Sequence, residues 1–229
     1  MKIRPLTSYA KVQSWIGRLI RNCGFQLKSK KVLSTPYLDL GCGRNCHENL
    51  INLDYLWHPQ VDVCWDIQKG IPFSDGSMKG IFSEHCFEHF PLETAFFLMR
   101  ECRRVLAVGG ILRVVVPDAG MYLERYHQRS QGAGSEKFPF EEKESFQGIY
   151  TPMLSVNRIF YQDREQAFGH RTMYDHELLG QLLLKAGFNK VEKRSFREGA
   201  NPNLLVDAEN RRCESLYIEA FKNNEANKT

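Results

Sequence analysis

Several things are missing from this 229-residue chain, and each absence narrows what it can be. No apolar run approaches the roughly 20 residues a helix needs to cross a bilayer, so no membrane span is expected. Met1-Lys2-Ile3-Arg4-Pro5 leads into mixed polar residues, not into the apolar stretch of a secretory signal. The seven cysteines, at 23, 42, 46, 64, 86, 102 and 213, are odd in number and lack disulfide-like spacing. Free thiols in a reducing, cytoplasmic setting are the expectation. Charge of one sign does not dominate either. The formal net charge of +4 is too weak to argue for nucleic acid. Basic residues gather at Arg18, Arg21, Lys28, Lys30 and Lys31, and again at Lys190, Lys193, Arg194 and Arg197. Both groups read as solvated faces. No internal repeat is visible.

What is there is an ordinary globular composition, 42% hydrophobic and 25% charged, in a length that suits one domain with an insertion. Residues 9–22 carry Val12, Trp15, Ile16, Leu19 and Ile20 at helical spacing, an amphipathic helix expected to pack on the parent domain. Short apolar runs then alternate with helical patterns. Strands are expected at the end of Val32–Leu40, at Leu50–Asp54, Val61–Trp65, Gly80–Ser83 and Ile111–Val116. A helix is expected over Thr94–Leu106, with Gly109-Gly110 breaking the chain after it. This rhythm predicts a parallel sheet covered by helices. Residues 118–170 interrupt it, and Gln128–Ser145 reads as a mobile loop or lid. A helix over 175–187 with Asp175 as N-cap and Gly187 as stop follows, then strands at Phe188–Phe196 and Ser215–Phe221.

The chemistry is concentrated after the first strand. Asp39-Leu40-Gly41-Cys42-Gly43 sets two glycines one residue apart at a strand's carboxyl end, where open parallel sheets bind ligands and where glycine lets a ligand approach the main chain. Strand two ends in Asp54, and an acid there can accept hydrogen bonds from both hydroxyls of a ribose. Asp66-Ile67 follows strand three and can meet the edge and face of an adenine; Asp66 can also cap a turn. A nicotinamide dinucleotide would need a third glycine, but Cys46 holds that place. Ten residues separate Gly43 from Asp54, against the roughly 20 of a dinucleotide fingerprint. A ligand with ribose and adenine but no phosphate fits better.

With these pieces, and with Ile71-Pro72-Phe73, Phe82-Ser83-Glu84-His85, Glu88-His89 and Leu106–Gly110, the sequence resembles the class I S-adenosylmethionine (SAM)-dependent methyltransferases, most of all their type 11 domain. The resemblance covers 35–120 and returns at His170-Arg171 and Ala186-Gly187-Phe188. It implies an α/β, Rossmann-like fold: a mostly parallel seven-stranded sheet flanked by helices, with a shortened first crossover and an insertion after strand five. It implies SAM as cofactor, bound by Asp39, Leu40, Gly41, Cys42, Gly43, Asp54, Asp66, Ile67 and Glu84. Gly41 and Gly43 would face the methionine part, Asp54 the ribose, and Asp66 with Ile67 the adenine. Glu84 and His85 would stand beside the methyl group.

A hydroxyl acceptor must lose a proton, and histidine is the usual base. His85 is the first candidate, with His89 and His170 behind it. Glu88-His89 can equally be structural, at a helix start. Cys42, Cys46 and His47, or His85, Cys86 and His89, lack paired Cys-x-x-Cys spacing, so no metal is expected. The expected organisation is an N-terminal helical extension over 1–31, a methyltransferase domain over 32–222 with a lid or acceptor insertion at 118–170, and a disordered tail at 223–229. The expected acceptor is a small molecule, through an O or N atom, with a sugar or secondary metabolite as the leading class. A protein or RNA methyltransferase and a non-catalytic SAM-binding module are the alternatives.

Overall fold

A computed structural model describes residues 8–22, 29–161 and 168–224. Lys28 and the end of the expected tail, 225–229, lie outside these. Seven strands form one sheet: β1 (Tyr37–Leu40), β2 (Ile51–Asp54), β3 (Val63–Cys64), β4 (Met78–Glu84), β5 (Leu106–Pro117), β6 (Lys190–Arg194) and β7 (Ser215–Lys222). Their order is β3-β2-β1-β4-β5-β7-β6. β7 runs antiparallel to β5 and β6, and the remaining pairs are parallel. β1 lies between β2 and β4, so the direction of winding reverses beside it. That switch point is where an open α/β sheet leaves a crevice.

The helices are α1 (Ser8–Arg21), α2 (Lys30–Ser34), α3 (Leu92–Val105), α4 (Ala119–Ser130), α5 (Pro152–Tyr161) and α6 (His176–Lys185). Leu38, Leu40, Ile51, Leu53, Ile81 and Val114 of the sheet are fully buried with Leu98 and Met99 of α3 and Leu179 and Leu183 of α6. Each such side chain contributes about 1.5–3 kcal/mol of burial free energy. α6 starts as its sequence predicts, with the Asp175 carboxylate accepting the Leu178 N–H at 2.8 Å. Gly187 follows it at φ 103°. The first crossover is short: only turns connect Leu40 to Ile51.

Two expectations need correction, and a third gains detail. Gly109-Gly110 does not break the chain, because β5 begins at Leu106 and absorbs both glycines. Met78 pairs with Leu106 and Gly80 with Ile111, so two steps on β4 face five on β5. The surplus forms a bulge, and Gly109 takes it up at φ 81°. The stretch Gln128–Ser145 is largely loop, as expected, and it is anchored. It opens with the end of α4, Phe138 is buried against Tyr122, Val156 and Ile159, and Arg129 bonds Glu141 at 2.6 Å. The insertion therefore has a small core of its own. α1, finally, does not bury its apolar stripe: Val12, Trp15 and Leu19 are exposed. Gln13 is buried instead, and the helix meets the sheet through Gly17 and Arg21, whose guanidinium lies 4.1 Å from the Tyr55 ring centroid. Small and polar residues make the contact because Gly17 lets the helix backbone approach the Cys64 thiol of β3.

Candidate active site at the carboxyl edge of the sheet

Parallel pairing of β1, β2 and β4 brings Asp39–Gly43, Asp54 and Glu84 to one edge of the sheet. The glycine loop is held from β2: the amides of Gly41 and Cys42 both donate to the Leu53 carbonyl, at 2.8 and 3.1 Å. Gly41 has φ 78°, and a Cβ there would come within 2.4 Å of the Cys86 sulfur. Only glycine fits that position. Gly43, at φ 54°, donates its N–H to Asp54 Oδ2 at 2.9 Å, and Leu56 N–H donates to Oδ1 at 2.7 Å. A carboxylate has about four acceptor positions, so Asp54 retains capacity for two hydroxyls.

Asp39 is buried, and its Oδ2 makes no hydrogen bond. Burial raises its pKa well above the usual carboxylate range, and the negative groups Cys46, Glu84 and Asp54 add to the effect. Burial raises Asp54 and Glu84 as well. Glu84 accepts the Ala208 N–H at 2.9 Å, which fastens the loop before β7 over the end of β4. That loop is anchored from below. Arg113 of β5, fully buried, makes a two-bond fork to Asp207 at 2.7 and 2.6 Å and donates to the carbonyls of Glu198 and Ser195.

The other expected residues fall in two places. Asp66 caps a short 3-10 turn, accepting the Gln68 N–H at 3.2 Å, and Ile67 is in the core. His85, at φ 49°, follows β4 directly; its amide donates to the Val115 carbonyl at 2.8 Å. A left-handed backbone at a non-glycine residue stores strain, as site residues often do. Its Nε2 lies 2.9 Å from Ser215 Oγ and its Nδ1 3.5 Å from Glu88 Oε1. His89 and His170 join it, with ring centroids 5.1 Å apart. The segment bearing His170 is pinned there by the amides of Arg171 and Thr172, which both donate to the Glu88 carbonyl. Burial depresses all three imidazoles, His89 to about 4, and pushes the Glu88 carboxyl up to about 8.

Sequence reasoning missed the partners that come from afar. Ser215, Ala208 and Asp207 are 130, 124 and 94 residues from the groups they hold. It also missed His58, whose Nε2 contacts the Gly43 carbonyl and lies 3.8 Å from Cys46 Sγ. A lone histidine in a turn gives no local signal of that contact. The cysteines of the loop do meet, with Cys46 Sγ 3.6 Å from Cys42 Sγ.

Residues 43–114 match a protein-family model described as a methyltransferase domain. The match starts at Gly43 and takes in Asp54, Asp66, Ile67, Glu84, His85 and His89. No curated protein matches the chain. Among solved structures, a SAM-dependent methyltransferase from Archaeoglobus fulgidus is similar at 16% identity and a TM-score of 0.47, over 91% of this chain and 93% of that one. A Burkholderia thailandensis 1,6-didemethyltoxoflavin N1-methyltransferase, solved with that compound and S-adenosylhomocysteine, is similar at 13% identity and a TM-score of 0.48, over 96% and 92%. A Haloferax volcanii methyltransferase solved with its Trm112 activator is similar at 12% identity and a TM-score of 0.45, over 94% and 96%. The strand order and the reversed seventh strand give the sheet the Rossmann-like methyltransferase arrangement, and residues 43–114 within it match a methyltransferase domain.

Proposed function

We propose that this protein binds SAM at the carboxyl edge of β1, β2 and β4 and transfers its methyl group to an O or N atom of a small molecule. The observation that carries this reading is a set of close acids, Asp39 buried and Asp54 and Glu84 partly so. Asp39, Asp54 and Glu84 lie close enough for Asp39 to feel both of the others, and Asp39 Oδ2 accepts no hydrogen bond, with His47 Nε2 standing off at 3.8 Å. A ligand bearing a sulfonium and an ammonium would relieve that burial. An anionic pyrophosphate would worsen it. The residues therefore fit this cofactor.

SAM supplies an electrophilic methyl group, and the protein's part is position, exclusion of water and proton movement. The main chain at Gly41 and Gly43 would lie along the methionine part. Asp54 would accept the ribose hydroxyls, with Gly43 and Leu56 N–H keeping its carboxylate oriented. Asp66 and Ile67 would meet the adenine, and Leu40 and Cys42 complete the loop. His85 would take the acceptor's proton. Its depressed pKa keeps it neutral near pH 7, the form a base must start from. A cytoplasmic setting belongs to the same reading, on the odd and irregularly spaced cysteines. No described helix is long and apolar enough to cross a membrane.

The test is incubation of the protein with methyl-labelled SAM and cell extract. Label in a small-molecule product supports the proposal. Label confined to protein or RNA, or no transfer above a control without enzyme, overturns it.

A further inference from the structure

Below the end of β4 lies a cluster that methyl transfer does not require. Glu88, His89 and His170 each offer a ligand atom, and these atoms lie within 4.8 Å of one another. Glu88 has no exposed surface, and neither of its oxygens has a hydrogen-bond partner. His170 is 9% exposed. Its Nδ1 lies 2.6 Å from the Ile159 carbonyl, so Nδ1 carries the proton and Nε2 is left as a bare, unpartnered lone pair. His89 has Nδ1 3.4 Å from the Gly169 carbonyl and Nε2 3.9 Å from Glu88 Oε1. A carbonyl holding one imidazole N–H while the other nitrogen points inward is the usual outer support of a metal-ligating histidine.

His85 repeats the pattern from the side. Ser215 Oγ donates to the Arg211 carbonyl at 2.8 Å, so it accepts from His85 Nε2–H and leaves His85 Nδ1 bare toward Glu88. The unpartnered nitrogens of His85 and His170 thus share the pocket with a carboxylate that has no donor. A single proton on Glu88 could serve one nitrogen and would leave the others facing each other. The nearby cations are engaged elsewhere: Arg211 bonds Glu214 at 2.9 Å and Arg158 bonds Glu144 at 3.1 Å.

We propose that Glu88, His89 and His170 bind a divalent transition-metal ion of the zinc, iron or manganese kind. Two imidazoles and one carboxylate suit such ions and disfavour magnesium or calcium. Ligands about 2.1 Å from a tetrahedral ion stand ~3.4 Å apart, so these atoms, now up to 4.8 Å from one another, would draw together by about 1 Å on closing around it. The second cluster among the described residues, Cys42, Cys46 and His58, is the weaker site: its sulfurs contact each other and His58 is spent on the Gly43 carbonyl. The ion would also tie the segment after the insertion to the end of β4.

The experiment uses tag-free full-length protein. Metal content is measured after purification, and chelator-stripped protein is titrated with Zn²⁺, Mn²⁺, anaerobic Fe²⁺ and Co²⁺. Uptake approaching one ion per chain is expected. His89→Ala and His170→Ala should each weaken it at least tenfold, and Cys46→Ser should leave it unchanged. No uptake of any of the four ions by the wild type overturns the proposal, as does full uptake by folded His170→Ala. Should the histidine variants not fold, the cobalt spectrum of the wild type decides. Nitrogen–oxygen ligand-field bands support the site, and intense thiolate charge-transfer bands would place the metal at the cysteines and overturn it.

Discussion

Replacing Arg113 by Met should destabilise the protein by about 3–5 kcal/mol, the cost of leaving one member of a buried ion pair without its partner. Arg113 and Asp207 are both fully buried, and the fork between them has two bonds, at 2.7 and 2.6 Å. Removing the guanidinium leaves Asp207 Oδ1 without its donor, while Oδ2 keeps the Arg197 N–H at 2.6 Å. The carbonyls of Ser195 and Glu198 lose donors too. Glu219 is spared, because Arg194 still bonds it at 2.9 Å. At 2–4 °C per kcal/mol for a chain of this size, the melting temperature should fall by roughly 6–20 °C. Urea unfolding of Arg113→Met, Asp207→Leu and the double variant measures the coupling. The double variant should be more stable than Arg113→Met alone, since apolar replacement of both partners removes the stranded charge. A single-variant cost below about 1 kcal/mol, or a double variant no better than the single, would refute the reasoning.

Three more expectations can be checked with the same protein. Asp54→Ala should weaken SAM binding at least tenfold by calorimetry while the circular dichroism spectrum is unchanged; equal affinity would remove Asp54 as the ribose acceptor. Asp39→Asn tests the buried carboxylate. Its folded pKa lies above the ordinary value of 3.8, so the folded state holds the extra proton and stability falls as pH rises from about 4 toward the folded value. The asparagine variant should therefore gain stability over the wild type as pH rises through that range, and a difference independent of pH would contradict the assignment. His85→Ala should lower turnover more than it weakens SAM binding, and a fully active variant would exclude His85 as the base.

Much of the fold was legible because its signals are local. β-branched runs at Ile111–Val116, the Asp175 cap and the Gly187 stop each act over a few residues, and all three stand where their chemistry puts them. The glycine loop and Asp54 were legible for the same reason, being ten residues apart across a crossover with no helix. What escaped was decided by packing between distant segments. The direction in which α1 turns its stripe depends on Gly17 meeting β3, not on the stripe itself. The Gly109-Gly110 pair reads as a break until β4 is laid beside it. His89 and Glu88 looked like the start of a helix, and only the return of His170 to the same place makes them a cluster.

The central claim is tested most directly by calorimetric titration of the wild-type protein with SAM and, in parallel, with a nicotinamide dinucleotide. The account predicts saturable binding of one SAM per chain, lost or at least tenfold weaker in Asp54→Ala, and no heat from the dinucleotide. Binding of the dinucleotide in place of SAM, or no binding of SAM at all, would contradict it.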